Sequence, residues 1–161
     1  MGKESIFRDY FYYYNKINFA NKTKIFLKFA LLPAKPVDKI CVWVRLGMKM
    51  NKKQHKWRQF WCENIIYKKF NCAISTRCEI GDSIKFPHPV GVVIGLGVKI
   101  GKNCSIYQDV TLGQNNDKYP SVGDNVIIYA GAKVFGDVKI GDNAIIGANA
   151  VVTKDVPENA I

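Results

Sequence analysis

An aliphatic or aromatic residue recurs every six positions through the C-terminal half of the chain. The register begins at Ile74, shifts by two residues before Ile94 and by four before Val122, and then runs to Val152. A second small or aliphatic residue stands four positions after most of these residues. An antiparallel β domain would alternate with a period of two, so a sixfold period held over about eighty residues predicts a repeat fold.

Six-residue repeats suit a triangular coil, because each unit supplies one short strand and one corner and three units complete a turn. The inward aliphatic side chain stacks on its counterpart in the next coil. Glycine often follows the aliphatic residue, and Gly-Asp-Asn occurs at 123–125 and 141–143. Tight corners with positive φ favour these residue types. The sequence therefore predicts a mainly β fold, a left-handed parallel β-helix of about four to five coils over residues 73–161.

Two breaks interrupt the repeat, at residues 87–91 and 113–120. Repeat proteins place insertions where binding occurs, and these two breaks are slightly more than one coil apart. The first break contains His88 between two prolines. Histidine exchanges a proton near neutral pH, so a histidine at such a break is a candidate for removing the proton of a hydroxyl.

Residues 1–72 are predicted to form a helical, basic and aromatic-rich N-terminal region. Apolar residues follow helical spacing at positions 6–17, 40–48 and 57–65, and the segment 32–36 with its two prolines separates two stretches. Aromatic stripes of this kind are expected in a core. The helices are expected to cover the open end of the solenoid, which would otherwise be an aggregation edge. The apolar positions on which the prediction rests are Ile6, Tyr10, Tyr13, Tyr14, Ile17, Ile40, Val44, Met48, Trp57, Phe60, Trp61 and Ile65.

The net charge of +11 is concentrated in the N-terminal region. Residues 1–70 hold 16 Lys and Arg against 4 Asp and Glu, whereas residues 71–161 hold 8 against 9. A basic half suggests nucleic acid as a partner, but no nucleic-acid-binding motif is recognisable. Nucleic acid is therefore not expected to bind. Two interpretations stay open: a solvated basic helical face, or contact with an anionic membrane surface or an acidic polymer.

The five cysteines are odd in number, contain no CxxC pair and have no histidine cluster beside them. This pattern argues against a disulfide scaffold and against a zinc site, and reduced thiols are the simplest interpretation. No signal peptide is recognisable, and the apolar stretch 25–32 is too short to span a bilayer. A cytoplasmic location is expected, with peripheral contact at the inner face of the membrane as an open alternative.

The segments 87–95, 103–113, 120–134 and 151–157 resemble the serine acetyltransferase family of hexapeptide-repeat acyltransferases, in its short branch associated with surface-polysaccharide genes. The resemblance covers residues 73–161. It implies a homotrimer with active sites between neighbouring prisms and acetyl-CoA as co-substrate. No metal is expected, as the cysteine pattern already indicated. His88 matches the catalytic base of the family. The positions that the resemblance places along CoA are Gly113, Ala130, Gly131, Ala132, Ala148 and Lys154.

The chain departs from the family pattern at three positions. The acid that orients the catalytic histidine falls at Ala73, the acid before the histidine is Pro87, and the second active-site histidine matches Tyr119. We therefore place Tyr119 in the catalytic set with His88. These departures favour a sugar hydroxyl of a surface polysaccharide or its precursor as acceptor. L-Serine, and a non-catalytic hexapeptide scaffold, stay open as alternatives.

The acid that would orient His88 in place of the missing ones is left open between three carboxylates of the repeat region. They are Glu79, Asp109 and Asp117, and Asp109 is carried in the catalytic set.

Overall fold

The computed structural model describes residues 36–161, and the predicted helical stretch at positions 6–17 lies outside them. Two helices come first among the described residues, α1 (Pro36–Lys52) and α2 (Lys56–Phe70). Twelve strands of two or three residues follow. They are β1 (Ala73–Ile74), β2 (Glu79–Ile80), β3 (Val93–Ile94), β4 (Lys99–Ile100), β5 (Ser105–Ile106), β6 (Thr111–Gly113), β7 (Ser121–Val122), β8 (Ile127–Ile128), β9 (Lys133–Phe135), β10 (Lys139–Ile140), β11 (Ile145–Ile146) and β12 (Val151–Val152).

The strands form three parallel sheets, one on each side of a triangular prism. Sheet 1 has the order β1-β3-β6-β9-β12, sheet 2 the order β2-β4-β7-β10, and sheet 3 the order β5-β8-β11. From β3 onward consecutive strands lie in successive sheets, and in the first coil an isolated parallel bridge from Lys85 to Ser105 takes the place of a strand in sheet 3. The chain therefore winds round the prism in about four turns. The predicted parallel β-helix with an N-terminal helical region is confirmed.

The strand pairing follows the sixfold register. Ile94 pairs with Ile74 in the coil before it and with Leu112 in the coil after it. Both breaks are absorbed in turns, because Val134 still pairs with Leu112 across the longer insertion. The inward residues from Ile74 to Ile146 are buried, as are the second small residues such as Val98, and Val152 at the end of the register is partly buried. One continuous apolar column therefore fills the prism.

The glycines that follow the inward residues serve a different purpose from the one expected. Gly101 has no positive φ, and the left-handed backbone at this corner belongs to asparagine, for example Asn125 with φ of 57°. A Cβ built on Gly101 would lie 2.3 Å from Oδ1 of Asp124 and 2.5 Å from the carbonyl oxygen of Gly123. Glycine is needed here because the next coil passes directly beside it, and the expectation of positive φ was wrong for these positions.

Of the two stripes predicted for the described helices, the stripe of α1 is buried and the aromatic stripe of α2 is exposed. In α1 the predicted positions Ile40, Val44 and Met48 are buried. In α2 the buried residues are Cys62, Ile66 and Phe70, and the prediction of a buried aromatic stripe was wrong. The predicted aromatic stripe and the buried stripe lie on opposite sides of α2, so only one of them can pack against α1 and the first coil. The exposed members of the predicted stripe are Trp57, Phe60 and Trp61.

The helices cover the first coil of the solenoid through specific polar contacts. The buried guanidinium of Arg45 donates to the carbonyl oxygen of Ile80 at 2.6 Å and to that of Gly81. The N–H and the hydroxyl of Thr76 each donate to Oε1 of Glu63 at 2.8 Å. Hydrogen-bonding groups at this end of the prism thus find partners in the helices. The helices cover the edge that an uncapped solenoid would expose.

Candidate active site

His88 lies at the corner where the chain turns from sheet 3 to sheet 1, here called the histidine corner. The corner consists of residues 87–91, 107–109, 129–131 and 147–149 in successive coils. His88 is exposed, whereas Pro89 beside it is buried. The N–H of Val90 donates to the carbonyl oxygen of His88 at 2.8 Å. A fixed φ at both prolines and this hydrogen bond hold the backbone while the imidazole faces solvent.

Two tyrosines continue downward from His88 along the histidine corner. The ring centroids of His88 and Tyr107 are 6.2 Å apart, and those of Tyr107 and Tyr129 are 5.0 Å apart. Sequence reasoning assigned neither tyrosine to the site. A signal was present, because each occupies the repeat position after the inward aliphatic residue that is glycine in most units. A tyrosine at that position must project from the corner.

Of the three carboxylates left open to orient His88, Asp109 alone lies at the histidine corner. Its N–H donates to the carbonyl oxygen of Val90 at 3.0 Å, and a Cβ built on Gly91 would lie 2.0 Å from its Oδ1. Glu79 is on β2 beside Lys99, at 3.9 Å. Asp117 is in the loop 113–120. Within residues 36–161 no hydrogen bond joins the imidazole to any of the three carboxylates.

A positive charge accompanies Asp109 at the start of sheet 1. The ammonium of Lys133 donates to the carbonyl oxygen of Asp109 at 2.5 Å and contacts Oγ1 of Thr111 at 3.3 Å. A carboxylate and an ammonium therefore lie close to the same corner as His88. Such a pair offers complementary charges to a ligand that carries both signs.

Tyr119, Gly113 and Lys154 lie at a different corner, where the chain turns from sheet 1 to sheet 2, here called the loop corner. The ring of Tyr119 covers two glycines of the preceding coil, with a Cβ on Gly97 falling 2.4 Å from Cδ2 of the ring. Gly113 ends β6, and Lys154 is exposed just after β12. Within one chain the structure does not bring these residues to His88.

The inserted loop at this corner is also tied down by an ion pair. Nζ of Lys118 lies 2.9 Å from Oδ2 of Asp137 in the next coil. The hydrogen bond and the charge of Lys118 lower the pKa of the Asp137 carboxyl. The loop is thus held at both Tyr119 and Lys118.

The histidine corner exposes backbone donors that the corner between sheets 2 and 3 uses internally. Gln108, Ala130 and Ala148 follow one another down the corner, and none of their N–H groups finds an acceptor within residues 36–161. At the matching position of the corner between sheets 2 and 3, the N–H of Lys102 donates to Oδ1 of Asp124 at 2.6 Å. The histidine corner therefore presents a column of free donors to a ligand.

Gln108 adds an acceptor to this column. Its Oε1 is buried and receives no hydrogen bond from the described residues. A buried acceptor without a donor is costly, and it would be satisfied by a bound N–H or O–H group.

The two remaining positions predicted along CoA, Gly131 and Ala132, differ in where they lie. Gly131 lies at the histidine corner with φ of 75°, next to Ala130. Ala132 is fully buried in the interior column, its N–H donates to the carbonyl oxygen of Tyr129, and its own carbonyl accepts from Thr111. The side chain of Ala132 therefore faces the core and does not line the corner.

Other parts of the described surface offer less chemistry. A cavity of about 670 Å³ lies between the end of α1 and sheet 2, lined among others by Met48, Lys99 and Glu79, and it contains neither His88 nor any residue predicted along CoA. Within residues 36–161 no three His, Cys, Asp or Glu side chains are grouped so that they could hold a metal ion.

The sixfold register and the three parallel sheets define a hexapeptide-repeat β-helix protein. Residues 119–154 match the family described as bacterial transferase hexapeptide (six repeats). The resemblance to serine acetyltransferases is confirmed by relatives and by solved structures. A Staphylococcus aureus serine acetyltransferase is 49% identical over 83 residues, which cover 49% of this chain and 39% of the relative.

Two solved structures extend the similarity to the fold. A serine acetyltransferase in complex with CoA is 36% identical with a TM-score of 0.72, covering 75% of this chain and 51% of that one. Soybean serine acetyltransferase complexed with serine is 35% identical, also with a TM-score of 0.72 and the same coverage. The chain thus spans about two fifths of the curated relative's length and about half of each solved structure's.

Proposed function

We propose that this chain is an acetyl-CoA-dependent O-acetyltransferase in which His88 acts as general base. The observation that carries the proposal is the histidine corner, where an exposed imidazole on a rigid backbone stands above a column of free backbone donors. The similarity of the solenoid to a serine acetyltransferase solved with CoA supports acetyl-CoA as the donor of the acetyl group.

The proposed reaction is a direct transfer between a thioester and a hydroxyl. The imidazole of His88 takes the hydroxyl proton while the hydroxyl oxygen bonds to the thioester carbonyl carbon. Backbone N–H groups of the corner stabilise the oxyanion of the tetrahedral intermediate. When the intermediate collapses, the carbon–sulfur bond breaks and the CoA thiolate receives the proton from His88. The products are an acetyl ester and the free CoA thiol.

The same column would hold the arm of CoA. The N–H groups of Ala130 and Ala148 would donate to amide carbonyls of the arm, and Oε1 of Gln108 would accept from an amide N–H. Gly131 leaves room for close approach of the ligand to the backbone. Lys154 would pair with a phosphate of CoA, provided that it reaches the groove from another subunit.

A homotrimer would unite the two corners. Within one chain Tyr119, Gly113 and Lys154 lie at the loop corner and His88 at the histidine corner. If neighbouring prisms pack corner to corner, the loop of one copy meets the histidine of the next. This separation of the predicted site residues within one chain supports a site shared between copies.

We propose L-serine as the acceptor, in place of the sugar hydroxyl expected from the sequence. The Staphylococcus aureus relative and the two solved structures described above are serine acetyltransferases, and one of them is solved with serine. The charges of Asp109 and Lys133 near the corner would complement the ammonium and carboxylate of a free amino acid. Asp109→Asn should therefore raise KM for serine while KM for acetyl-CoA changes little.

A sugar remains the second candidate acceptor because of the two tyrosines. The rings of Tyr107 and Tyr129, with centroids 5.0 Å apart and planes tilted by 37°, lie at the corner just below His88. Flat aromatic faces provide the apolar surface on which the CH face of a sugar ring can pack.

Release of free CoA thiol from acetyl-CoA, measured with L-serine and with a panel of nucleotide sugars and oligosaccharides, tests the proposal. Serine should support release, and His88→Ala should lower kcat by about 10²–10⁴-fold, the usual range for a general base. His55→Ala is the matched control, since His55 is exposed in the turn between the helices. All variants should keep the same oligomeric mass, expected at about three times that of one chain.

The outcomes separate the alternatives. Release with a sugar and none with serine would overturn the acceptor and leave the transferase. Release that His88→Ala does not reduce would overturn the role of His88. Protein that neither binds CoA nor turns it over with any acceptor would favour the non-catalytic scaffold.

A further inference from the structure

The outward side of α2 carries a row of aromatic side chains that pack on nothing in the solenoid. Trp57, Phe60 and Trp61 are 87%, 61% and 58% exposed. Their i, i+3, i+4 spacing places them on one side of the helix, opposite the buried stripe that contains Cys62 and Ile66. We call these three residues the aromatic face of α2.

The aromatic face is a contiguous patch rather than scattered apolar residues. The ring of Trp61 meets Trp43 of α1 edge-on, with centroids 5.4 Å apart and planes at 81°. This contact orients one member of the face, so the helix presents it as a fixed surface. Single exposed apolar residues are ordinary, but adjacent exposed aromatics usually mark an interaction surface.

Positive charge surrounds the aromatic face. Exposed cations lie at both ends and along the side of α2, namely Lys53, Lys56, Arg58, Lys68 and Lys69. The single acidic residue in the sequence from 51 to 71 is Glu63, and its carboxylate is occupied by Thr76. Over residues 36–70 the chain has 9 Lys and Arg against 2 Asp and Glu.

Tryptophan and phenylalanine bordered by Lys and Arg fit the boundary of an anionic lipid bilayer. The aromatic rings enter the interface between headgroups and acyl chains, and the cations meet the lipid phosphates. A second copy of the chain is a poorer fit, because two such faces in symmetric contact would bring like charges together. No helix within residues 36–161 is long and apolar enough to cross a membrane.

We propose that the aromatic face of α2 docks the protein peripherally on an anionic membrane surface, with α2 parallel to the membrane plane. The solenoid would then extend from the surface with its corners open to solvent. The inference rests on α2 and the residues beside it, so it stands or falls independently of acetyl transfer.

Sedimentation of the full chain with vesicles tests the proposal, using phosphatidylglycerol mixed with phosphatidylethanolamine and, for comparison, phosphatidylcholine alone. The chain should bind the anionic vesicles, and binding should weaken as salt rises. Trp57→Ser with Phe60→Ser should weaken binding at least about tenfold through lost aromatic insertion. Lys53→Glu with Lys56→Glu should weaken it at least about tenfold through lost charge attraction.

The matched control is Leu96→Ser, which removes an exposed apolar side chain from the solenoid. It should bind vesicles like the unaltered chain. Circular dichroism should show all variants folded, because each altered side chain is exposed. Quenching of tryptophan fluorescence by brominated lipid gives a second readout, and Trp57→Phe with Trp61→Phe should remove most quenching while binding persists.

Three results would overturn the proposal. One is equal binding to neutral and anionic vesicles, or binding to neither. Another is unchanged affinity in the Trp57→Ser, Phe60→Ser variant, which would assign binding to another basic segment. The third is a change of oligomeric mass in that variant with unchanged vesicle affinity, which would make the aromatic face a contact between copies.

Discussion

At the scale of single residues, the corners of the solenoid divide two tasks between glycine and asparagine. Asn103, Asn125 and Asn143 take the left-handed backbone, and their side chains form a ladder, with Nδ2 of Asn103 donating to Oδ1 of Asn125 at 2.9 Å. Asparagine tolerates positive φ better than most residues because its short side chain bonds locally. Glycine instead occupies positions such as Gly101 where a neighbouring coil leaves no room for a Cβ.

This division predicts that glycine positions differ sharply in tolerance. Gly101→Ala would force a Cβ into the backbone of the next coil and should destabilise the fold by roughly 1–3 kcal/mol, as overpacking does. Gly147→Ala is the matched control, since a Cβ there would meet nothing within 4 Å. Urea unfolding of both variants measures the difference. Equal losses of stability would show that backbone freedom, not space, selects glycine at both sites.

At the scale of elements, α1 acts as the lid on the first coil. Its buried Arg45 reaches the carbonyl oxygens at the end of β2, and Glu63 of α2 accepts hydrogen bonds from Thr76 in the turn between β1 and β2. Gly47 lets α1 approach closely, since a Cβ there would lie 2.3 Å from Cγ2 of Thr76. The helices and the solenoid therefore share one hydrophobic core.

Arg45→Met tests this coupling. The substitution keeps an unbranched side chain and removes the donors to two carbonyl groups, so it should cost roughly 1–3 kcal/mol, the penalty for a buried group left unsatisfied. Helix and strand signals in circular dichroism should still disappear together on heating, at a lower temperature. Arg58→Met, at an exposed position of α2, serves as the control. A helical transition that separates from the strand transition would contradict a shared core.

At the scale of the whole molecule, stability depends on thiols that the fold keeps protonated. Burial raises the pKa of Cys78 from 9.0 to about 12 and that of Cys104 from 9.0 to about 11. Above pH 9 the unfolded chain loses these protons while the folded chain retains them. The unfolded state then binds fewer protons, so the free energy of unfolding falls as pH rises.

Replacing both thiols by valine should remove this part of the pH dependence. Val98 and Val126 occupy the matching positions of the next coils, so the double variant Cys78→Val, Cys104→Val should change stability by less than about 1.5 kcal/mol below pH 8. Between pH 9 and 10 the unaltered chain should lose about 1 kcal/mol more per thiol than the variant does. Denaturant unfolding across pH 7–10.5 measures it. Parallel curves would show that the folded chain ionises these thiols as readily as the unfolded one.

The sequence by itself determined the solenoid and its register. A period of six residues predicts a triangular coil, and the aliphatic residues identify the positions that face its interior. The register shifts before Ile94 and Val122 could therefore be predicted from the sequence. The location of His88 in a turn could also be predicted, because a break in a strict repeat identifies a turn. The breaks indicated the two corners at which the candidate site residues lie.

Tertiary structure decided what depends on neighbours from other coils. Which side of α2 is buried was undetermined locally, because the helix has an apolar stripe on both sides and only docking on α1 chooses between them. Asp109 is placed at the histidine corner, and Tyr119 away from it, by stacking of coils some twenty residues apart in sequence. Free backbone donors at that corner are equally invisible in a sequence, since they exist only because no side chain of the adjacent coil reaches them.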